Sequence, residues 1–247
     1  MFSIVIPTYH RNDMLAECLD RIAPHYQQFG ENYEVVVTDD GKQSTAANML
    51  TECYPWARWV QGPQRGPASN RNNGAQQATG TWLVFLDDDC LPDANLLKAY
   101  HAAIQAKPTT QVFEGKIYAD RDQARFDEES PINLTGGKLW SCNFCIRKTV
   151  FEQLKGFDEG FPHATMEDID LRIRLKDAGF DIQFAAGAAV CHPWRRTRGW
   201  TMYRKRLESY QYFINKYPEK KEITHAFLEG KNFDRAFFRR AWAVGKV

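Results

Sequence analysis

The sequence predicts an α/β fold in which one mostly parallel central sheet carries helices on both faces. Over about the first hundred residues, short apolar segments alternate with segments of helical spacing. Such alternation is typical of right-handed βαβ units, whose strands lie parallel in one sheet. The chain has 247 residues, 43% of them hydrophobic, which is enough for one large domain with an appended element.

The first half of the chain supplies four predicted strands and three predicted helices. The strands are short and rich in apolar or β-branched residues, and they cover residues 2–7, 33–38, 57–60 and 81–86. The helices follow the first three strands and cover residues 14–22, a segment from about Ser44, and residues 66–80. Each helix therefore connects two strands, as a parallel sheet requires.

The second half has a less regular pattern. Strands are predicted at residues 111–118 and 138–147, on either side of a polar, acidic connection. From Trp200 an amphipathic helix is expected, with its apolar and aromatic positions at Tyr203, Leu207, Tyr210 and Ile214. We therefore expect a C-terminal helical extension.

Residues 162–180 fit either a helix or a strand. Residues 169–175 alternate apolar and polar side chains, which would suit a strand. Thr165 and Asp168, however, fit a capping box, and Gly179 stands where the residue after a helix end belongs. Because both ends are signalled, we predict a helix.

Charge and apolar-run length restrict the class of protein. The formal net charge is +1, so no global field favours nucleic acid or an anionic membrane as a partner. The sequence has no apolar run of about eighteen residues, and its first strand is too short for the apolar part of a signal peptide. We therefore expect a soluble cytoplasmic protein that does not bind nucleic acid.

The six cysteines are expected to be buried free thiols in a reducing compartment. Cys142 and Cys145 form a CxxC motif, and a zinc site is the alternative interpretation. In an extended strand, however, residues three apart point to opposite faces. A second CxxC or an HxxxH that would complete such a site is absent from the sequence.

Polar residues directly follow three of the predicted strands. Thr8 and Tyr9 follow the first strand, Asp39 and Asp40 follow the second, and the three aspartates at 87–89 follow the fourth. The carboxyl ends of parallel strands meet at one edge of a sheet, where open α/β sheets bind their ligands. This convergence predicts the functional site.

The three adjacent aspartates suit a divalent cation. In an extended segment Asp87 and Asp89 share a face, and paired carboxylates bind hard ions such as Mg²⁺ or Mn²⁺, often together with phosphate oxygens. The usual dinucleotide and P-loop motifs are absent from the sequence. A solvated turn before Pro92, with aspartates that cap the next helix, is the alternative.

The chain resembles the family-2 glycosyltransferases of the GT-A fold from about residue 2 to 195. The segments that carry the resemblance are PTYHR, VVVTDDG, GPASNRNNGAQQATGTWLVFLDDD, LKGFDEGF and MEDIDLRIRLKDAGF. The resemblance implies an inverting transfer of one sugar from a nucleoside-diphosphate donor, most simply a UDP-sugar, with Mn²⁺ or Mg²⁺ as cofactor. The expected acceptor is a hydroxyl of a glycan or of a lipid-linked saccharide.

The resemblance also implies a set of donor-binding residues. Those expected to bind the nucleotide are Thr8, Tyr9, Arg11, Asp39, Arg71, Asp87 and Asp88. Asp89 is expected to bind the metal, and His192 is a candidate second ligand. A carboxylate at Asp39 suits a base with a ring N–H, such as uracil, thymine or guanine. An exposed helix arginine at position 71 and a packing histidine at 192 are the alternatives.

The catalytic pair of the family matches Glu167 and Asp168. Asp168 is then the general base that takes the proton from the acceptor hydroxyl, while Glu167 orients the acceptor. From the residues alone, Asp168 also suits the first turn of a helix, where acids are favoured. Both roles stay open at this point.

The chain departs from the family pattern in places. Cys90 stands where many relatives carry a fourth acid, so we expect the metal to bind without a ligand from that position. Residues 163–166 replace the glycine-rich lead of galactosyltransferase-like members, which leaves the acceptor sugar open. A Gln-x-x-Arg-Trp segment is absent from the sequence, which argues against a processive synthase.

We divide the chain into three parts on this basis. Residues 1–110 form the nucleotide-sugar half, residues 111–199 form the acceptor and catalytic half of the same domain, and residues 200–247 form the helical extension. Two other functions compete with glycosyl transfer. They are sugar nucleotidyl transfer, disfavoured because the first loop lacks glycine, and a non-catalytic sugar-nucleotide or glycan-binding module.

Two basic segments near the C-terminus have alternative interpretations. The arginines at 195, 196 and 198 either close over the diphosphate or form a solvated loop. In the tail, aromatic residues at 233, 237, 238 and 242 interleave with arginines. This segment either packs on the domain or lies on the inner membrane face near a lipid-linked acceptor.

Overall fold

The computed structural model describes residues 1–43, 46–125, 127–196, 199–220 and 222–223, with the side chains of 199–201 excepted. The strands are β1 (Phe2–Thr8), β2 (Tyr33–Asp39), β3 (Ala57–Gln61), β4 (Trp82–Leu86), β5 (Leu91–Pro92), β6 (Val112–Tyr118), β7 (Glu128–Glu129), β8 (Asn143–Arg147), β9 (Ile182–Cys191) and β10 (Arg195–Arg196). The helices are α1 (Asn12–Ile22), α2 (Pro24–Gln27), α3 (Ala46–Cys53), α4 (Pro67–Gln77), α5 (Leu96–Ala106), α6 (Lys148–Gln153), α7 (Glu167–Asp177) and α8 (Gly199–Lys216).

The central sheet has eight strands in the order β3-β2-β1-β4-β8-β6-β9-β5. Strands β3, β2, β1 and β4 are mutually parallel, as the alternation of strands and helices predicts. Strand β8 runs antiparallel to both of its neighbours, and β5 runs antiparallel to β9. Strands β7 and β10 form a separate two-stranded antiparallel sheet. The predicted mostly parallel α/β architecture is therefore confirmed.

The sheet is covered on both faces because successive residues of β1 contribute to different cores. Ile4 and Ile6 belong to a buried cluster that includes Leu15 and Leu19 of α1. Val5 belongs to a second cluster, which contains Ala75 of α4 together with residues of α6 and α7. This division follows from the period-two alternation of a strand. A further cluster, between α7 and α8, attaches the C-terminal extension.

The segment 162–180 contains the predicted helix, but the prediction of a capping box formed by Thr165 and Asp168 is wrong. Helix α7 begins at Glu167 after Met166, whose φ of 79° is left-handed, and no side chain caps the helix start. The Thr165 hydroxyl instead donates to the carbonyl of Ala164. At the other end Gly179 has a φ of 80°, as predicted for the residue after a helix.

The strand predicted at 138–147 begins only at Asn143, so the prediction is wrong for residues 138–142. The backbone N–H groups of Gly137, Lys138 and Leu139 donate to the buried carboxylate of Glu114. These donors are therefore not available to a strand ladder.

The six cysteines are free, but the expectation that all are buried is wrong for Cys53. Cys53 is the last residue of α3 and is exposed. Within the described part of the chain, no helix has both the length and the apolar character to cross a membrane. The tail segment at 233–242 lies outside the described residues, so its two interpretations stay predictions.

Candidate active site

The three predicted polar clusters meet at one edge of the sheet. In the parallel register Thr8 of β1 lies beside Asp39 of β2, and Val5 lies beside Phe85, one residue before the end of β4. The segment 87–89 therefore emerges next to the loop that follows β1. This placement confirms that the clusters lie together at the carboxyl ends of parallel strands.

Asp88 is fully buried and fixes the β1 loop to the end of β4. The Thr8 hydroxyl donates to its carboxylate at 2.7 Å, and Arg11 Nη2 lies 2.5 Å from the other carboxylate oxygen. Burial raises the pKa of Asp88 to about 7, although Arg11 and Thr8 oppose the increase. These contacts fix Asp88 to the loop that follows β1. Asp88 therefore stabilises the edge of the sheet at the carboxyl ends of β1, β2 and β4, which we call the rim.

Arg71 links Asp87, at the end of β4, to the acidic pair that is predicted to be catalytic. Its Nη2 lies 2.6 Å from Asp87 Oδ1, and its Nη1 lies 3.2 Å from Glu167 Oε1. The residue is only 5% exposed, so the alternative of a solvated helix arginine is wrong. The bridge joins residues that are distant in sequence, since Arg71 lies 16 positions from Asp87 and 96 positions from Glu167, and the guanidinium fork suits this double contact.

Glu167 and Asp168 form a buried acidic pair at the start of α7. Burial raises the pKa of Glu167, with a further contribution from Asp168, while Arg71 opposes the shift. One carboxylate oxygen of Glu167, Oε2, makes no hydrogen bond within the described residues. A buried acceptor of this kind is available to a donor group of a bound ligand.

The Asp168 carboxylate is held by backbone groups, and it does not form the predicted capping box with Thr165. Its Oδ1 accepts a hydrogen bond from the N–H of Ile169 at 2.8 Å, and the backbone of Ser141 also contributes. Burial raises the pKa of Asp168 to about 6, and Arg71 opposes this effect. With Thr165 directed elsewhere, the predicted capping box is wrong, whereas the second alternative, an acid that suits the first turn of a helix, agrees with the position of Asp168.

Asp89 lies among cationic and imidazole groups. Arg11 Nη1 and Arg195 Nη1 contact Asp89 Oδ2 at 3.0 and 2.9 Å, while His192 Nε2 lies 3.3 Å from Oδ1. Burial alone would raise the pKa of Asp89, but His192 and the two arginines outweigh burial and lower it. Asp89 is therefore a carboxylate, and His192 follows β9 as the apolar run before it predicts.

The side of the site formed by Asp89 and His192 suits a divalent cation. Apart from their mutual contact at 3.3 Å, the buried atoms Asp89 Oδ1 and His192 Nε2 make no hydrogen bond in the part of the chain that the structure describes. His192 Nδ1 lies 3.1 Å from the carbonyl of Pro193, which can only accept, so Nδ1 donates there, and in the neutral ring Nε2 offers its lone pair to an ion. Asp89, Cys90 and His192 each contribute one ligand atom to a group in which every distance between two of these atoms is at most 4.8 Å.

The residues that are predicted to contact the nucleobase lie at the carboxyl ends of β1 and β2. Asp39 is buried and accepts hydrogen bonds from the Gly41 N–H at 2.8 Å and from Trp59 Nε1 at 3.3 Å. Tyr9 is 57% exposed, and its ring packs edge-on against His10. Asp39 is therefore fixed in position, whereas Tyr9 presents an open aromatic face.

The small β7–β10 sheet holds Arg195 against Asp89. Arg195 pairs with Glu129 in the strand register, and Arg206 of α8 binds Glu129 with two contacts of 2.7 and 2.5 Å. Arg196 contacts Asp127 at 3.1 Å, on the side away from Asp89. Sequence reasoning missed Arg206, because nothing local to α8 indicates a partner 77 positions earlier.

Two family models match the chain. The model described as "Glycosyl transferase family 2" matches residues 3–165, and the model described as "N-terminal domain of galactosyltransferase" matches residues 124–213. A PGL/p-HBAD biosynthesis glycosyltransferase of Mycobacterium bovis is 34% identical over 196 residues, which are 77% of this chain and 72% of that protein.

Solved structures share the fold. The structure of S. aureus TarS 1-349 in complex with UDP-GlcNAc aligns with a TM-score of 0.64 and 20% identity, over 82% of this chain and 60% of that chain. The mannosyltransferase PcManGT from Pyrobaculum calidifontis, in complex with GDP-Man and Mn2+, aligns with a TM-score of 0.64 and 21% identity, over 89% of this chain and 63% of that chain. The chain spans 67% or less of the length of the first four curated relatives that it matches.

Proposed function

Since this chain belongs to glycosyl transferase family 2, we propose that it transfers one sugar from a nucleoside-diphosphate donor to an acceptor hydroxyl, with inversion at the anomeric carbon. The observation that carries the proposal is the Arg71 bridge, which connects Asp87 on the donor side to Glu167 beside Asp168. A donor held by the strand-end rim would thus place its sugar next to a buried carboxylate. The donor is proposed to be a UDP-sugar.

The nucleoside is assigned to the β1 and β2 end of the rim. Asp39 presents a fixed carboxylate, which would accept the ring N–H of uracil. The exposed ring of Tyr9 offers a face for stacking on the base. Thr8 and Asp88 hold this loop, and Asp87 is assigned to the ribose hydroxyls.

The diphosphate is assigned to the Asp89 end. Asp89 and His192 would hold a divalent ion, which would supply positive charge to the leaving nucleoside diphosphate. Arg11 and Arg195 contact Asp89 now and are half-exposed, so both can turn toward phosphate oxygens when a donor binds. The similarity in fold to a mannosyltransferase that binds Mn2+ supports a divalent ion as cofactor.

Asp168 is proposed to be the general base. As the acceptor oxygen bonds to the anomeric carbon, its proton passes to the Asp168 carboxylate, and the bond to the nucleoside diphosphate breaks with its electron pair on the leaving oxygen. The backbone groups that hold Asp168 fix the orientation of its carboxylate. Glu167 Oε2 is assigned to a second acceptor hydroxyl. The acceptor class is proposed to be a glycan or lipid-linked saccharide.

A panel of nucleotide sugars with and without Mn²⁺ tests the donor assignment. We expect thermal stabilisation and slow donor hydrolysis with one UDP-sugar, in the presence of Mn²⁺, and no comparable response to ADP- or CDP-sugars. At about one hundred times its dissociation constant, such a ligand stabilises by about 2.7 kcal/mol. An equal response to every nucleotide, or a response to none, would remove the donor assignment.

The pH dependence of transfer tests Asp168. Because a general base must be unprotonated and the pKa of Asp168 is raised to about 6, we expect kcat/KM to rise with pH and to level off above about pH 7. The assay should use saturating Mn²⁺, with the Mn²⁺ affinity measured at each pH. A rate that is flat from pH 5 to 8 would contradict the assignment.

A further inference from the structure

Cys90 lies beside the proposed metal ligands. By the family resemblance, it occupies the position at which many relatives carry a fourth acid. Its sulfur is within 4.8 Å of ligand atoms of Asp89 and His192. Cys90 is fully buried, and His192 is 1% exposed. A thiol therefore shares a nearly closed pocket with a carboxylate and an imidazole.

The Cys90 sulfur is held by Cys142. The Cys90 thiol donates to the carbonyl of Cys142 at 3.6 Å and also contacts the Cys142 side chain. His192 likewise directs its Nδ1 proton to the carbonyl of Pro193. Both residues are thus oriented by backbone acceptors, and the Sγ of a thiolate and the Nε2 of a neutral imidazole can bind an ion, as ligands with outer hydrogen bonds do.

Simple packing explains Cys90 less well than metal ligation does. Cys90 contacts the apolar cluster on one face of the sheet, as a packing cysteine would. A packing role, however, gives no reason for the neighbouring ligand atoms of Asp89 and His192. Asp89 Oδ1 and His192 Nε2 are buried, lie 3.3 Å from each other and make no hydrogen bond to other described residues. Such weakly paired buried atoms are costly, and an ion shared by the three groups would satisfy them together.

We propose that Cys90 binds the same ion as Asp89 and His192, so that the site selects transition ions such as Mn²⁺, Co²⁺ or Zn²⁺ over Mg²⁺. Imidazole and thiolate ligands favour transition ions, whereas Mg²⁺ prefers oxygen ligands in an octahedral shell. The thiol proton passes to solvent when the sulfur binds, and no other bond changes. The inference rests on the proposed function for the location of the ion, but the ion alone suffices to test it.

Titration with Co²⁺ gives a direct optical test. A thiolate bound to Co²⁺ produces a charge-transfer absorption in the near ultraviolet, which oxygen and nitrogen ligands do not produce. We expect this band in the unaltered protein and in a Cys145→Ser control, which removes a buried thiol outside the group. Cys90→Ser should lose the band. A band that persists in Cys90→Ser would overturn the proposal.

X-ray absorption on the unaltered protein removes any dependence on the folding of a variant. With one equivalent of Zn²⁺, we expect one sulfur neighbour at about 2.3 Å in addition to nitrogen and oxygen neighbours at about 2.0–2.2 Å. A shell of nitrogen and oxygen alone would overturn the proposal.

Metal preference gives the functional consequence. Cys90→Asp restores an oxygen ligand, so the ratio of Mg²⁺ to Mn²⁺ dissociation constants, measured by calorimetry, should fall at least about tenfold. An unchanged ratio would count against a ligand role for Cys90.

Sugar transfer with a sulfur-free metal shell would defeat this inference alone, whereas a sulfur-bound ion without any sugar transfer would defeat only the proposed function. Failure of every ion to bind, even with UDP, would defeat the inference and the metal dependence of the proposed function.

Discussion

Asp168→Asn should lower the rate of sugar transfer by about 10³-fold, within the range of about 10² to 10⁴ that general bases contribute, and leave donor binding within about twofold. Asparagine has nearly the same shape and can still accept the hydrogen bond from the Ile169 N–H. It cannot take the acceptor proton. Release of nucleoside diphosphate gives the rate, and calorimetry with UDP and Mn²⁺ gives the affinity.

Asp177→Asn is the matched control for this variant. Asp177 is the last residue of the same helix and is exposed, so the change removes one carboxylate from α7 without contact to the site. We expect its rate and affinity to equal those of the unaltered protein. If Asp168→Asn turned over as fast as this control, Asp168 would have no role in proton transfer. If it instead lost UDP affinity, the residue would belong to the donor site.

The sequence predicts the location of the site well because that location depends on local patterns. Apolar segments that end in polar residues mark strand ends, and parallel strands bring such ends to one edge. Thr8, Asp39 and the aspartates at 87–89 are therefore found without any knowledge of tertiary contacts. A helix within residues 162–180 is predicted from Gly179 and from a capping box, and the structure contains the helix at 167–177 without that box.

The sequence does not predict how the three aspartates divide their roles. Alternation along a strand would place Asp87 and Asp89 on one face, but β4 ends at Leu86, and the Cys90 N–H bonds to the Asp87 carbonyl in a turn. Alternation stops where the turn begins, so each carboxylate has its own set of partners, although Arg11 contacts both Asp88 and Asp89. Those partners come from α4, from the β1 loop and from β10, which no local pattern identifies.

The start of α7 also depends on distant residues. The Ser209 hydroxyl of α8 accepts from the N–H of His163 and donates to its carbonyl. Asp170, fully buried in α7, contacts Lys216 of α8 at 2.6 Å. These contacts fix the chain before α7, and Met166 takes the left-handed conformation that begins the helix. A capping pattern read from four residues cannot include them.

Arg71→Met should lower the free energy of unfolding by about 3–5 kcal/mol, the usual result of removing one partner of a buried ion pair. At this chain length the melting temperature should fall by roughly 10 °C. Methionine fills a similar volume but leaves Asp87 and Glu167 without their shared cation. Arg71→Lys should rescue little, because one ammonium group cannot reproduce the double contact. Urea denaturation measures these differences.

Arg65→Met is the control for the loss of one guanidinium. Arg65 pairs with Glu159 at 3.2 Å, but its side chain is 69% exposed. Exposed ion pairs contribute about 0–1 kcal/mol, so the variant should unfold nearly as the unaltered protein does. Equal destabilisation by both substitutions would show that the Arg71 bridge has no special energetic role.

The stability loss in Arg71→Met should also become smaller as the pH falls. Burial already raises the pKa of Glu167, and loss of Arg71 removes the charge that opposes this shift. A carboxyl group whose pKa is higher in the folded state binds more protons there, so its contribution to stability falls as the pH rises above the unfolded value. The deficit should therefore be largest near pH 8 and smaller near pH 5. Adding Glu167→Gln to Arg71→Met should reduce this pH dependence, because a neutral amide cannot titrate, and the part that remains belongs to Asp168, whose raised pKa Arg71 also opposes. A double variant as pH-dependent as Arg71→Met would show that Glu167 is not the group that Arg71 stabilises.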